Sequence, residues 1–278
     1  MIMSERLYDL KDDGVKMVTY PDNLREGVAS VATLWQDFCA LPDEIKRQFS
    51  ATDQQWSIGY ESKDGAGLHG DTKENFDYSS QGSEELMRTL ESLDNETAQK
   101  FIAAVQLLGR QIIPMIEELG QDIEETYGVK GFHAKAKASA SSAFLRFLHY
   151  PSGRSKDETI AEPHVDHSGF TFHLFETTDG CERLTREGEW EPLPVAGGQA
   201  AAFASMQTQL ETRNEIKALT HRVLANETSA RVGRYAIVCF VALLGTPSYD
   251  RKTHGRLQEM QPGFNYEMPY GEFSKLFK

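Results

Sequence analysis

Pro163-His164-Val165-Asp166-His167-Ser168-Gly169 is answered further along the chain by Thr220-His221-Arg222-Val223. The two stretches together offer two imidazoles and one carboxylate. A divalent iron held by that set keeps three adjacent octahedral positions open, where a co-substrate and O2 can coordinate. A structural zinc site would instead close its shell, usually with thiolates. Alternate residues of a strand face one side, so His164 and Asp166 are expected to point together into a barrel, with Val165 and His167 turned the other way. Taken singly, His-x-Asp is a weak signal in an acidic chain, and a lone histidine such as His221 is more often a core or cap residue. Their weight comes from the surrounding sequence.

The composition narrows the classes. The chain has 278 residues, 40% of them hydrophobic, enough for one large domain with a substantial core. Its formal charge of -13, from 29 Lys+Arg against 42 Asp+Glu, repels phosphate backbones and anionic lipid, so neither nucleic acid nor membrane is an expected partner. Three scattered cysteines, Cys39, Cys181 and Cys239, form no C-x-x-C pair, which argues against a disulfide scaffold and fits a reducing cytoplasm. The first residues show no basic region followed by an apolar core, so no secretory signal is expected.

The periodicity changes halfway. Asp22-Asn23 is a candidate cap for a helix with Leu24, Val28, Val31, Leu34 and Phe38 on one stripe. A shorter helical segment covers Pro42 to Phe49, and residues 51–80 read as an extended loop, which Tyr60 and the Phe76-Asp77-Tyr78 run mark as a packed one. Ser83 to Tyr127 is helical again, with Phe101, Val105, Leu108, Ile112, Ile116 and Leu119 in line. From Phe144 the pattern is that of strands: Phe144–Tyr150, Phe170–Phe175, Trp190–Leu193, Gln199–Ala204, His221–Ala225 and Tyr235–Leu244. The fold class is therefore α+β, a double-stranded β-helix (jelly roll) with helices packed outside, mainly from the N-terminal half. No linker or repeat divides it. One domain over 1–278 is expected, with a mostly helical part at 1–140, the jelly-roll core at 141–250 and a C-terminal segment at 251–278.

The second half resembles the iron(II)/2-oxoglutarate-dependent oxygenases, in the branch that contains isopenicillin N synthase and the plant flavonoid and hormone oxygenases. His164 to Thr171 is similar to that family's His-x-Asp-x-x-x-hydrophobic-Thr strand, Gly188-Glu189-Trp190-Glu191-Pro192-Leu193 to its Gly-x-Trp strand, and Thr220-His221-Arg222-Val223 to its distal histidine segment. Leu145 to Pro151 is similar to its strand ending in Tyr-Pro. Leu41 to Lys46, Gly59-Tyr60 and Asp71 to Asp77 follow the family order more loosely, and the usual N-terminal strand is expected to be short or missing. The resemblance implies Fe(II) held by His164, Asp166 and His221, with 2-oxoglutarate and O2 as co-substrates and succinate and CO2 released. It implies hydroxylation, desaturation, cyclisation or dealkylation of a small molecule. Because Asp166 supplies a carboxylate, a halogenase is disfavoured.

Family members anchor the far carboxylate of 2-oxoglutarate on an arginine that opens the strand after the distal histidine, a role suited to the guanidinium fork. Two arginines compete here. The ordinary interval favours Arg231. The apolar run Arg234-Tyr235-Ala236-Ile237-Val238-Cys239-Phe240 favours Arg234, with Asn226 to Gly233 as a lengthened hairpin, and this second reading is preferred. The family's accompanying serine is replaced by Gly233 or Ala236, and Tyr150 is a candidate to supply the lost hydroxyl. Leu148 replaces a common asparagine, and Ser205-Met206 stands where a Gly-Asp pair is usual.

For the substrate, Arg146 shares strand parity with Tyr150 and could hold an acidic group, and Tyr60 and Phe76 lie in the segment that covers the barrel mouth in relatives. A polar product of secondary metabolism fits these residues. His149, His167 and His173 are expected to be non-ligands. Two other classes stay open: an isopenicillin N synthase-like oxidase that uses no keto acid, and a non-catalytic binding protein on the same fold.

Overall fold

The computed structural model describes residues 8–50, 58–64, 72–193, 195 and 197–246. The C-terminal segment 251–278 and much of the expected 51–80 loop lie outside the described residues. In chain order, strand β1 (Val15–Thr19) precedes helix α1 (Asp22–Cys39), the single-turn helix α2 (Asp43–Lys46) and a 3-10 turn at Arg47–Phe49. Strands β2 (Gly59–Asp64) and β3 (Thr72–Tyr78) lead to helices α3 (Glu84–Ser92), α4 (Glu96–Gln111), α5 (Ile113–Tyr127) and α6 (Phe132–Ser139). Then come β4 (Phe144–Tyr150), β5 (Thr159–His164), β6 (Phe170–Glu176), β7 (Cys181–Leu184), β8 (Trp190–Pro192) and β9 (Gln199–Ala204). Helix α7 (Met206–Glu211), β10 (His221–Leu224), helix α8 (Glu227–Val232) and β11 (Arg234–Val241) complete the described chain.

Seven strands form one sheet in the order β1-β9-β6-β11-β4-β3-β2, and four form a second in the order β5-β10-β7-β8. All ladder pairings are antiparallel. This is the expected jelly roll with external helices. The central strands of the larger sheet are covered on both faces, which is why β6, β9 and β11 read as largely apolar runs rather than as alternating ones. On β11, Ile237, Cys239 and Val241 join the helix-side core while Ala236 and Val238 join the core between the sheets. On β9, Ala200, Ala202 and Ala204 go one way and Ala201 and Phe203 the other.

The helix-side core is built around Trp35, whose ring lies 5.8 Å from Phe38, 5.4 Å from Phe101 and 6.2 Å from Phe147. The Trp35 Nε1–H donates to the Leu148 carbonyl at 3.1 Å, so its polar end is satisfied within the apolar layer. The α1 stripe buries Leu24, Val28, Val31 and Phe38 as predicted, whereas Leu34 is only half-buried. The predicted cap is corrected: Pro21 precedes the helix, Asp22 is already in the first turn, and no side chain caps it. The Phe101-to-Leu119 stripe is wholly buried, and the helical stretch is divided into α3, α4 and α5. Asn95 caps α4 by accepting from the Ala98 N–H, and Pro114, in the first turn of α5, lacks the N–H that a continuous helix needs.

Three further expectations are corrected. β1 is present and pairs with β9 along all five of its residues. Within 51–80 the described residues form the β2–β3 pair, with Asn75-Phe76-Asp77-Tyr78 alternating as a strand does. The polar members hid the pattern because they line the inner side of the sheet. The stretch before β11 is helix α8 rather than a hairpin, closed at its start by an Asn226–Ser229 capping box.

Candidate active site

His164 and His221 are direct cross-strand partners on β5 and β10, with ring centroids 4.3 Å apart. The His164 Nδ1–H donates to the Glu162 carbonyl at 2.6 Å and the His221 Nδ1–H to the Leu219 carbonyl at 3.2 Å. A carbonyl can only accept, so both Nδ1 atoms carry the proton and both Nε2 atoms keep a lone pair. Those Nε2 atoms lie 3.8 and 3.9 Å from Asp166 Oδ1. Both spans are shorter than twice a metal–nitrogen bond of about 2.1 Å. All three ligand atoms fall within 4.8 Å of one another.

Asp166 does not reach this place as a strand residue. β5 ends at His164, and residues 165–169 form a loop, so the alternation expected for Val165 and His167 does not apply; both line the cavity. The loop is pinned from both sides. The Met206 N–H donates to the Asp166 carbonyl at 3.0 Å, and the Gln207 N–H to the Ser168 carbonyl at 3.0 Å. The Gly169 N–H donates to the Val241 carbonyl at 2.7 Å. A Cβ on Gly169 would lie 2.8 Å from the Val241 oxygen and 2.5 Å from Leu243 Cγ, so the approach requires glycine.

A hydroxyl chain orients the carboxylate. Thr171 Oγ1 donates to Asp166 Oδ2 at 2.6 Å, which leaves Thr171 to accept from Ser205 Oγ at 3.2 Å. Thr171 belongs to the quoted motif. Ser205 stands out in the sequence only as a departure from the family pattern, and nothing there marks it as a site residue. Burial by itself would raise the Asp166 carboxyl. The facing His221 and His164, the Thr171 hydroxyl and His167 outweigh it and hold the group below its ordinary value.

The triad opens on a cavity of about 700 Å³ between the sheets. Tyr150, Arg146 and Arg234 line it, from β4 and β11. Arg234 is fully buried at the start of β11, whereas Arg231 is exposed in the last turn of α8. Arg234 Nη2 donates to Glu176 Oε2 and Nε to the Thr178 carbonyl at 3.3 Å, which accounts for two of the five N–H donors of a guanidinium. Its Cζ lies 5.9 Å from the Tyr150 ring. Tyr60 and Phe76, expected at the substrate, are corrected to core residues: both pack on Phe38, and the Tyr60 hydroxyl donates to Glu74 at 2.7 Å. His173, read as a non-ligand, is a cavity residue 3.3 Å from Glu176. Phe144, Leu148, Val238 and Phe240 also line the cavity. Strand parity with Arg146 and Arg234 is the signal that identifies them.

Cys39, Glu74 and His149 form a second close cluster. Here Lys46 already supplies the cation, with Nζ 3.0 Å from Glu74 and donating to the Cys39 carbonyl at 3.2 Å. The His149 Nδ1–H donates to Glu74 at 2.7 Å. Burial pushes the Cys39 thiol far up, so it keeps its proton and is a poor ligand. The cluster is a structural network.

Residues 141–242 match the model of the 2OG-Fe(II) oxygenase superfamily. The 2'-deoxymugineic-acid 2'-dioxygenase of Hordeum vulgare is 22% identical over 137 residues, 49% of this chain and 38% of that protein. The chain spans less than half the length of the curated relatives it matches. Among solved structures, a full-length Neurospora crassa protein in complex with alpha-KG and 5-formyluracil superposes with a TM-score of 0.68 at 17% identity, covering 95% of this chain and 82% of that one. The rice dioxygenase for auxin oxidation does so at 0.65 and 18%, covering 93% and 84%.

Proposed function

We infer that this chain, whose residues 141–242 belong to the 2OG-Fe(II) oxygenase superfamily, is a non-haem Fe(II)- and 2-oxoglutarate-dependent dioxygenase that oxidises a small molecule. One observation carries the reading: the ligand atoms of His164, Asp166 and His221 converge, both Nε2 atoms within 3.9 Å of one carboxylate oxygen, at the wall of a cavity large enough for co-substrate and substrate. In this reading the three residues hold Fe(II). Thr171 and Ser205 fix the carboxylate, and the Glu162 and Leu219 carbonyls fix the imidazole tautomers. Arg234, with Tyr150 beside it, receives the far carboxylate of 2-oxoglutarate. Fe(II) with 2-oxoglutarate and O2 supplies an oxidant for an unactivated C–H bond, with release of succinate and CO2. The chain's own contribution is to orient the substrate and exclude water.

The larger sheet takes β1, β2 and β3 from the first half and β4, β6, β9 and β11 from the second, which supports one oxygenase domain. The three cysteines are free and buried, in keeping with a reducing, cytoplasmic setting. No helix among the described residues is long and apolar enough to cross a membrane. A role in secondary metabolism is in keeping with relatives such as 2'-deoxymugineic-acid 2'-dioxygenase and deacetoxyvindoline 4-hydroxylase. Anaerobic addition of Fe(II) and 2-oxoglutarate should produce a weak visible charge-transfer band, and a screen of metabolites after admission of O2 should yield succinate. Failure to bind 2-oxoglutarate, with O2-dependent turnover in its absence, would select the isopenicillin N synthase-like oxidase instead.

A further inference from the structure

We propose that the substrate carries a carboxylate and that Arg146 is its anchor, at the end of the cavity away from Arg234. This rests on the reading of the chain as a 2-oxoglutarate-dependent oxygenase. The strand register sets the distance. On the β4–β11 ladder Tyr150 pairs with Arg234, Leu148 with Ala236, Arg146 with Val238 and Phe144 with Phe240. Arg146 and Tyr150 are four residues apart on one strand face, which is about 13 Å at the usual strand rise. The cavity wall therefore carries an arginine towards each end of this ladder, with Leu148 and Ala236 between them. If Arg234 takes the co-substrate, Arg146, four residues along the strand from Arg234's partner Tyr150, is a second cation on the same wall.

The geometry of Arg146 shows a group held for use. Its Nε donates to Asp77 Oδ1 at 2.8 Å and its Nη2 to Asp77 Oδ2 at 2.7 Å, a bidentate clasp that fixes the plane of the guanidinium. Asp77 is 3% exposed, whereas the Arg146 side chain is 34% exposed and lines the cavity. The counter-ion thus sits behind the arginine. The clasp uses one edge of the guanidinium and leaves the Nη1–Nη2 edge, which offers two further donors with the spacing of a second carboxylate. Phe144 and Phe240, cross-strand partners with ring centroids 6.5 Å apart, lie together beside it, each ring 5.7 Å from Arg146 Cζ. They hold the group by cation–π contact and present apolar surface to whatever the anion is attached to.

A clasp that served only to tie β3 to β4 would need no edge in the cavity. Charge points the same way: in a chain of net charge -13, Lys73, Arg146 and Arg234 line this cavity against Glu162 and Asp166, so its lining is positive on balance. The three cations offset a surface that would otherwise repel an anion. The ligand class is therefore a carboxylic acid on an apolar body.

The test uses matched fragments, 3-phenylpropanoate and octanoate against their primary amides, on the protein loaded with Fe(II) and 2-oxoglutarate under nitrogen. Binding is read by ligand-observed NMR, and the Fe(II)–2-oxoglutarate visible band is recorded separately. We expect the acids to bind about ten- to hundredfold more tightly than the amides. Arg146→Gln should abolish that preference. Because that variant leaves Asp77 buried without its partner, the neutral pair Arg146→Gln with Asp77→Asn serves as the folding-safe control and should lose the preference too. An acid preference that survives in the double variant, equal binding of acid and amide to the unmodified protein, or no acid binding at millimolar concentration would each overturn the proposal. Absence of the visible band in the unmodified protein would overturn the parent reading instead, so the two failures are distinguishable.

Discussion

Arg234 and Glu176 meet in a sealed ion pair at the wall of the cavity, with Nη2 2.5 Å from Oε2 and side chains only 1% and 7% exposed. Burial raises the Glu176 carboxyl, but His173 and Arg234 bring it below its ordinary value, so it stays ionised. In the proposed role of co-substrate anchor, the arginine is thereby fixed in advance. A pre-positioned fork loses little freedom on binding, which is where much of the affinity of such sites originates.

Replacing Arg234 with Lys keeps the charge beside Glu176 but removes the fork. The apparent KM for 2-oxoglutarate should rise about ten- to hundredfold, while Arg231→Gln, at an exposed helical position, should change it less than about threefold. Steady-state kinetics in 2-oxoglutarate check this. The reverse ranking would assign the anchor to Arg231.

At the proposed metal triad, His164→Ala, Asp166→Ala and His221→Ala should each abolish turnover and metal retention while the circular dichroism spectrum stays native. Thr171→Val removes only the hydroxyl that orients Asp166 and should weaken Fe(II) binding about ten- to hundredfold, as is usual for an outer partner of a ligand. Activity above about a tenth of the parent's in an alanine variant would take that residue out of the shell.

Glu74 carries an acid-stability signature. Burial opposes its ionisation, yet His149, Tyr60 and Lys46 bring its carboxyl down to about 2. Since the folded value lies below the unfolded one, the stabilisation is complete above about pH 5 and is lost as pH falls towards 2; it amounts to roughly 3 kcal/mol. Glu74→Gln should be less stable by about that amount at neutral pH, and the gap should close on acidification. Urea unfolding at several pH values measures it, and a gap that does not vary with pH would refute it.

Gly169→Ala places a methyl group against the Val241 carbonyl and Leu243. The loop that carries Asp166 must then shift, so the variant should lose about 1–3 kcal/mol of stability and bind Fe(II) more weakly. Thermal melts with and without Fe(II) separate the two effects.

Much of this was legible from the residues. The change of period at Phe144, the buried stripe from Phe101 to Leu119 and the strand that begins at Arg234 follow from apolar spacing, and the family motif singles out His164, Asp166 and His221. What escaped had local causes. β3 was hidden because Asn75 and Asp77 face inwards, a polar lining that reads as loop. Tyr60 and Phe76 read as mouth residues because their Gly-, Asp- and Ser-rich surroundings mask the strands that carry them into the core. Asp166 was placed by strand parity, yet its position depends on contacts from α7 and β11 that are remote in sequence. Ser205, Glu176 and the Asp77 clasp are side-chain pairings across strands, and no spacing rule announces them.

His164 and His221 sit on neighbouring strands of the four-stranded sheet, and Asp166 hangs from a loop bonded to α7 and β11. An ion gripped by all three would cross-link the small sheet to the elements around the large one. Loading would slow amide hydrogen exchange along β5 and β10 and lengthen the time before these short strands come apart. Iron supply would then govern how long each copy of the chain survives proteolysis, as well as whether it works: a starved cell would clear the empty protein instead of storing it.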